Sequence, residues 1–212
     1  MTRFAPSDAL LAAYASGTAS PGMSLLVETH LAMAPAARPR LAEMESVGGV
    51  LLEGTAPAPM REGALDATLA LLDAAPSAPE EVPAANGVLP APLAAAVGGR
   101  GVDDLRWQFR LPGLHEVVLD GFGEGEEVSL LRAKPGAGIM KHTHRGEEAT
   151  LILAGEMTDG DTVLRAGDVS EADGDHDHQP RITGDETCYC LIVMSGGMRF
   201  TGPFGRALNL FT

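Results

Sequence analysis

Cysteine and lysine are scarce in this chain and long apolar runs are missing, and each shortage excludes something. Two cysteines, Cys188 and Cys190, are all that 212 residues contain. A pair separated by one residue cannot staple a long loop, so a disulfide scaffold is excluded and both are expected to stay thiols in a reducing compartment. Lysine occurs only at Lys134 and Lys141, and the formal net charge is −14. Such a chain repels polyphosphate, which argues against direct nucleic-acid binding and leaves room for a basic protein partner. No run approaches the roughly 18 consecutive apolar residues that span a bilayer. The N-terminal MTRFAPSDALLAAY carries an early acidic residue and no cleavage-like end, so a soluble, cytoplasmic protein is expected.

What is present suffices for a core: 45% of the residues are hydrophobic, well above a disordered acidic chain. The length allows one large domain or two small ones, and the composition favours two. Residues 75–92, APSAPEEVPAANGVLPAP, hold Pro76, Pro79, Pro83, Pro90 and Pro92. Prolines remove backbone donors and favour extended, semi-rigid chain, so this segment reads as an interdomain linker. The formal charge is −4 over residues 1–74, −2 over 75–92 and −8 over 93–212, so both flanking parts are acidic.

Before the linker the apolar period is helical. Ser7 can cap a short helix with Leu10, Leu11 and Tyr14 that Gly17 ends. Ser20-Pro21 is a second start signal, followed by one stripe of Met23, Leu26, Val27, His30 and Leu31. After a break at Pro35 and Pro39 comes a third stripe of Leu41, Met44, Val47 and Leu51, and residues 62–74 suggest a fourth helix. Four short helices in about 75 residues make a marginal core, of the kind that takes help from a metal, a partner or a neighbouring domain. After the linker the period is that of strands. LRWQFRL, LHEVVLDG, EVSLLRA, ATLILAGE, DTVLRAGDV and TCYCLIVM are β-prone runs between Gly, Asp and Pro turns, the pattern of an antiparallel sandwich or barrel.

Chemistry-bearing residues concentrate in the second part. PGAGIMKHTHRGEEATLILAGE places Gly136, His142, His144, Glu148 and Gly155 at the spacing of the first cupin motif, with every fixed position filled. In an extended KHTH, His142 and His144 project to one face. A second cluster runs from the turn Arg165-Ala166-Gly167-Asp168 to His178 and resembles the second cupin motif more weakly, with Asp173 and Asp175 where a proline and glycine usually stand. Three neutral imidazoles and one carboxylate, from His142, His144, His178 and Glu148, suit a divalent metal such as Zn, Mn, Fe or Ni, and the donors alone do not choose among them. His176 is the alternative to His178, with Asp173, Asp175 and Asp177 as outer partners or a solvated loop. Cys188 and Cys190 share one side of a strand; two small core residues are the favoured reading, and a redox-sensitive pair, which would need exposure, is the other. Trp107 and His115 read as packing residues.

The order of parts resembles the ChrR-type anti-sigma factors over essentially the whole chain: SDALLAAYASGTAS, SLLVETHL and GGVLLEG in a helical region, a Pro-rich linker, then a cupin with HTHRGEE. The resemblance implies a small all-α N-terminal domain (1–74), the linker (75–92) and an all-β cupin domain (93–212), an antiparallel β-barrel or jelly roll. It implies a cytoplasmic regulator whose helical domain holds an extracytoplasmic-function sigma factor inactive, and whose metal-bound cupin, zinc by the family's habit, responds to singlet oxygen or related oxidants. The chain departs from the family at its N-terminal zinc signature of a histidine, a near-terminal histidine and two cysteines. His30 stands at one position, but the others read Ala5, Ala34 and Ala37. Alanine supplies no donor, so no zinc is expected in the helical domain, and His30 is expected to pack or lie on the surface. The rival reading is a cupin metalloenzyme of dioxygenase type with a vestigial N-terminal domain; no base, nucleophile or substrate clamp beyond the ligand set favours it.

Overall fold

A computed structural model describes residues 4–73, 85 and 87–202. Its helices are α1 (Asp8–Ala15), α2 (Pro21–Met33), α3 (Arg38–Glu53), α4 (Ala64–Asp73) and α5 (Ala91–Ala96). Strands β1 (Gln108–Leu111), β2 (Leu114–Leu119), β3 (Glu126–Ala133), β4 (His142–His144), β5 (Glu148–Ala154), β6 (Glu156–Asp159), β7 (Thr162–Arg165), β8 (Val169–Ala172), β9 (Arg181–Ile182), β10 (Cys188–Ser195) and β11 (Met198–Phe200) follow.

The helix starts form where their caps are. The Ser7 hydroxyl accepts from Leu10 N and the Ser20 hydroxyl from Met23 N, satisfying donors that a helix start leaves unpaired. Pro35 opens a single 3-10 turn, Pro35–Ala37, and Pro39 falls in the first turn of α3, where a missing N–H is harmless. Of the third stripe, Leu41 and Met44 pack against Leu11, Val27 and Leu31, whereas Val47 and Leu51 are exposed.

Six strands form one antiparallel sheet in the order β1-β2-β3-β10-β5-β8; β7-β6-β9 and β11-β4 make two smaller sheets. The all-α part followed by an all-β cupin barrel is thus the architecture expected. Strand alternation assigns the two faces of the large sheet. Val128, Leu130, Ala149, Leu151, Leu191 and Val193 face outward onto α2 and α5, in one cluster with Leu26 and Leu93. Leu131, Ala133, Ile152, Cys188 and Cys190 face inward and fill the barrel. Gly155, at φ +81°, turns the chain where a Cβ would lie 2.7 Å from the Cα of Cys188; only glycine fits there.

Of the segment read as linker, residues 75–84 and 86 lie outside the described residues. Its end carries Leu89, which is buried, and leads into α5, whose Leu93 is also buried. No helix among the described residues is long and apolar enough to cross a membrane.

Candidate metal centre

Backbone pairing builds the histidine site. His142 on β4 and His178 exchange both main-chain hydrogen bonds, His142 N to His178 O at 3.0 Å and His178 N to His142 O at 2.9 Å. This places the two residues opposite one another although 36 positions separate them. His144, two residues along β4, shares the inward face of His142. Glu148 opens β5 and is inward-facing with Thr150 and Ile152. All three histidines are buried.

Their Nε2 atoms converge: His178 Nε2 lies 3.0 Å from His142 Nε2 and 3.0 Å from His144 Nε2. The hydrogen bonds on the far side of two rings fix what those atoms carry. His142 Nδ1 is 2.8 Å from the Met140 carbonyl oxygen, and His178 Nδ1 is 2.7 Å from Asp159 Oδ2. Both partners only accept, so each Nδ1 holds the proton and each ring, when neutral, turns a bare lone pair inward. Two lone pairs 3.0 Å apart repel unless a cation lies between them. The donor set therefore fits a metal ion, and His142, His144 and His178 could hold one. Glu148 Oε2 stands 3.6 Å from His144 Nε2.

Electrostatics favour neutral rings at His142 and His144. Burial pushes His142 and His144 down to about 4, so both are unprotonated at neutral pH. For His178, burial works against the proton, but the hydrogen bond and charge of Asp159 outweigh it and raise the pKa. Burial raises the Glu148 carboxyl, an effect that His178 partly offsets.

Of the sequence candidates, the structure brings together His142, His144 and His178, with Glu148 near His144 and outside that group. His176 is half-exposed, with its Nε2 3.7 Å from Asp159 Oδ2, on the outer side of His178. Asp177 pairs with Lys141 at 2.9 Å and accepts from the Thr201 hydroxyl at 2.6 Å. Asp159 is the residue that sequence reasoning missed. It ends β6 in EMTDGDT, which reads only as a turn, and its role comes from β6 crossing behind His178. Cys188 and Cys190 are buried, with Sγ atoms 3.7 Å apart; the Cys190 thiol is pushed well up by its neighbour and by burial. Trp107 packs edge-on to Tyr189 and donates from Nε1 to Val102 O at 2.7 Å.

Helices set on a cupin barrel with an inward histidine trio define a helical-plus-cupin protein. The ChrR Cupin-like domain family matches residues 100–196. Anti-sigma-E factor ChrR of Cereibacter sphaeroides is 39% identical over 205 residues, covering 97% of this chain and 95% of that protein. The crystal structure of Rhodobacter sphaeroides SigE in complex with the anti-sigma ChrR matches with a TM-score of 0.79 and 37% identity, covering 92% of this chain and 100% of that one. The chain belongs to the ChrR family.

Proposed function

We propose that this protein is a cytoplasmic anti-sigma factor that sequesters an extracytoplasmic-function sigma factor on its helices and senses oxidative stress of the singlet-oxygen type through a metal-bound cupin. The observation that carries the first half is an apolar surface with no cover among the described residues. Val50, Leu51 and Leu52 at the end of α3, and Leu65, Leu71 and Leu72 on α4, are 69% to 72% exposed. So many exposed large aliphatic side chains on two consecutive helices are unusual for a monomeric protein, and such surfaces mark protein contacts. The similar solved structure is that of a ChrR bound to SigE, which supports a sigma factor as what covers this patch. The net charge of −14 suits a partner with basic, DNA-binding faces.

For the second half, His142, His144 and His178 are the ligands, with Glu148 as the fourth donor. Zinc is the metal proposed, on the family resemblance. A bound ion would tie β4, β5 and the loop carrying His178 into one unit. A route to the helices exists in the register of β5 on β8: Glu148 pairs with Ala172 and Ala149 with Glu171, and Glu171 contacts the start of α1. A signal shifts the partner only by favouring the free or bound state differentially. In run-off transcription with the host's extracytoplasmic-function sigma factors, one of them should be silenced by the purified chain, and the double variant Leu51→Asp/Leu72→Asp should not silence it. Undiminished transcription from every sigma factor tested at saturating chain would refute the reading.

A further inference from the structure

The helical part has little interior of its own. Its separate cluster contains only Leu11, Val27 and Leu31 as buried residues, and among the described residues no group of metal donors includes His30. A core this small does not hold a bundle together unaided. We infer that the cupin unit holds the partner-binding helices in shape by gripping both ends of α2 and the start of α1, so that the helical part is competent for its partner only while docked.

The grip is made of buried and polar contacts that span 104 to 165 positions of sequence. At α1, the Ser7 backbone N–H and hydroxyl donate to the two carboxylate oxygens of Glu171, at 2.6 and 2.7 Å. At α2, the Gly22 N–H donates to Glu126 Oε2 at 2.9 Å, and the Ser20 hydroxyl donates to the same carboxylate. A carboxylate is what a helix start attracts, because its first N–H groups are unpaired and its dipole is positive there. Here each carboxylate comes from a strand of the cupin, Glu126 from β3 and Glu171 from β8.

The other end of α2 is latched. His30 is fully buried, and its Nδ1 donates to the Gly167 carbonyl at 2.9 Å in the turn between β7 and β8. Ahead of α1, Phe4 N–H donates to Asp168 Oδ1 at 3.1 Å, and Val169 N–H donates to Phe4 O at 2.9 Å. At its start, α2 lies so close to β3 that a Cβ at Gly22 would stand 2.5 Å from Val128 Cγ2 and 2.8 Å from Glu126 Cδ. Glycine at 22 is therefore a docking requirement: for the helix alone, alanine is the better residue. His30, expected from the sequence to pack or face solvent, is the latch.

The test uses the full-length chain and hydrogen exchange read by mass spectrometry. In Gly22→Ala and in Glu126→Gln/Glu171→Gln, exchange across residues 8–33 should rise about tenfold or more, the scale on which a lost helix cap acts, while β3, β5 and β10 keep their protection. Unchanged exchange across 8–33 in both variants overturns the inference. So does a rise shared equally by the barrel, because the grip is claimed to hold the helices and not the sheet. The link to partner binding rests on the anti-sigma reading: affinity for the sigma factor should fall in the same two variants, and unaltered affinity with raised exchange overturns that link. A wild-type chain that binds no sigma factor defeats the anti-sigma reading and leaves the exchange measurement to decide the grip.

Discussion

Asp159 fixes the tautomer of His178 through a single 2.7 Å hydrogen bond, so under the proposed metal-bound reading ion affinity depends on a residue outside the proposed ligands. Asp159→Asn should weaken metal binding about 10- to 100-fold, measured by competition with a chelator, with the fold unchanged. His144→Ala removes one of three converging donors, and metal analysis should fall from about one equivalent per chain to nearly none. His30 gives the pH signature. Burial lowers its pKa from the ordinary 6.5, so below about 6.5 the unfolded chain takes up a proton that the native chain refuses. The stabilisation is full above that value and declines as pH falls toward the depressed native value. His30→Gln should lose this part of the slope in denaturant midpoints compared between about pH 7.5 and 5.5. The four ligand candidates were legible because histidines two apart on a strand, a carboxylate and two glycines carry a spacing. Asp159 and the destination of His30 were not, since each is defined by a partner far along the chain.

At the scale of elements, caps and periods revealed most of what formed. Ser7 and Ser20 start helices in the sequence and in the structure, and the long alternating runs became β2, β3, β5 and β10. Strands of two to four residues such as β6, β9 and β11 escaped notice, because a run so short has no measurable alternation. DTVLRAGDV split into β7 and β8 at Gly167 for the same local reason. Helix α5 was hidden by proline-rich composition, although its Leu93 and the preceding Leu89 are buried. The stripe Leu41, Met44, Val47 and Leu51 shows a limit of another kind: period identifies an apolar face but not what covers it. Half of that stripe packs inside the chain and half is exposed, the half that the proposed partner would cover. Leu51→Asp and Leu72→Asp should therefore leave the melting temperature within about 2 °C of wild type. Their effect should fall on sigma-factor affinity, by about thirtyfold or more in titration calorimetry.

For the whole molecule, helices and barrel share one apolar cluster in which Leu26 of α2 meets Leu151 and Leu191 of the sheet. The chain thus presents its exposed α3–α4 surface from a platform that also houses the histidine site. Acidic character is spread over both parts of the sequence, as suits a protein that covers a DNA-binding partner rather than DNA. The most direct measurement mixes the purified full-length chain with each extracytoplasmic-function sigma factor of its host and follows assembly by size-exclusion chromatography with light scattering. One sigma factor should form an equimolar complex that Leu51→Asp/Leu72→Asp abolishes while that variant remains folded. Absence of a complex with any of them, for a folded and metal-loaded chain at low salt, would contradict the account.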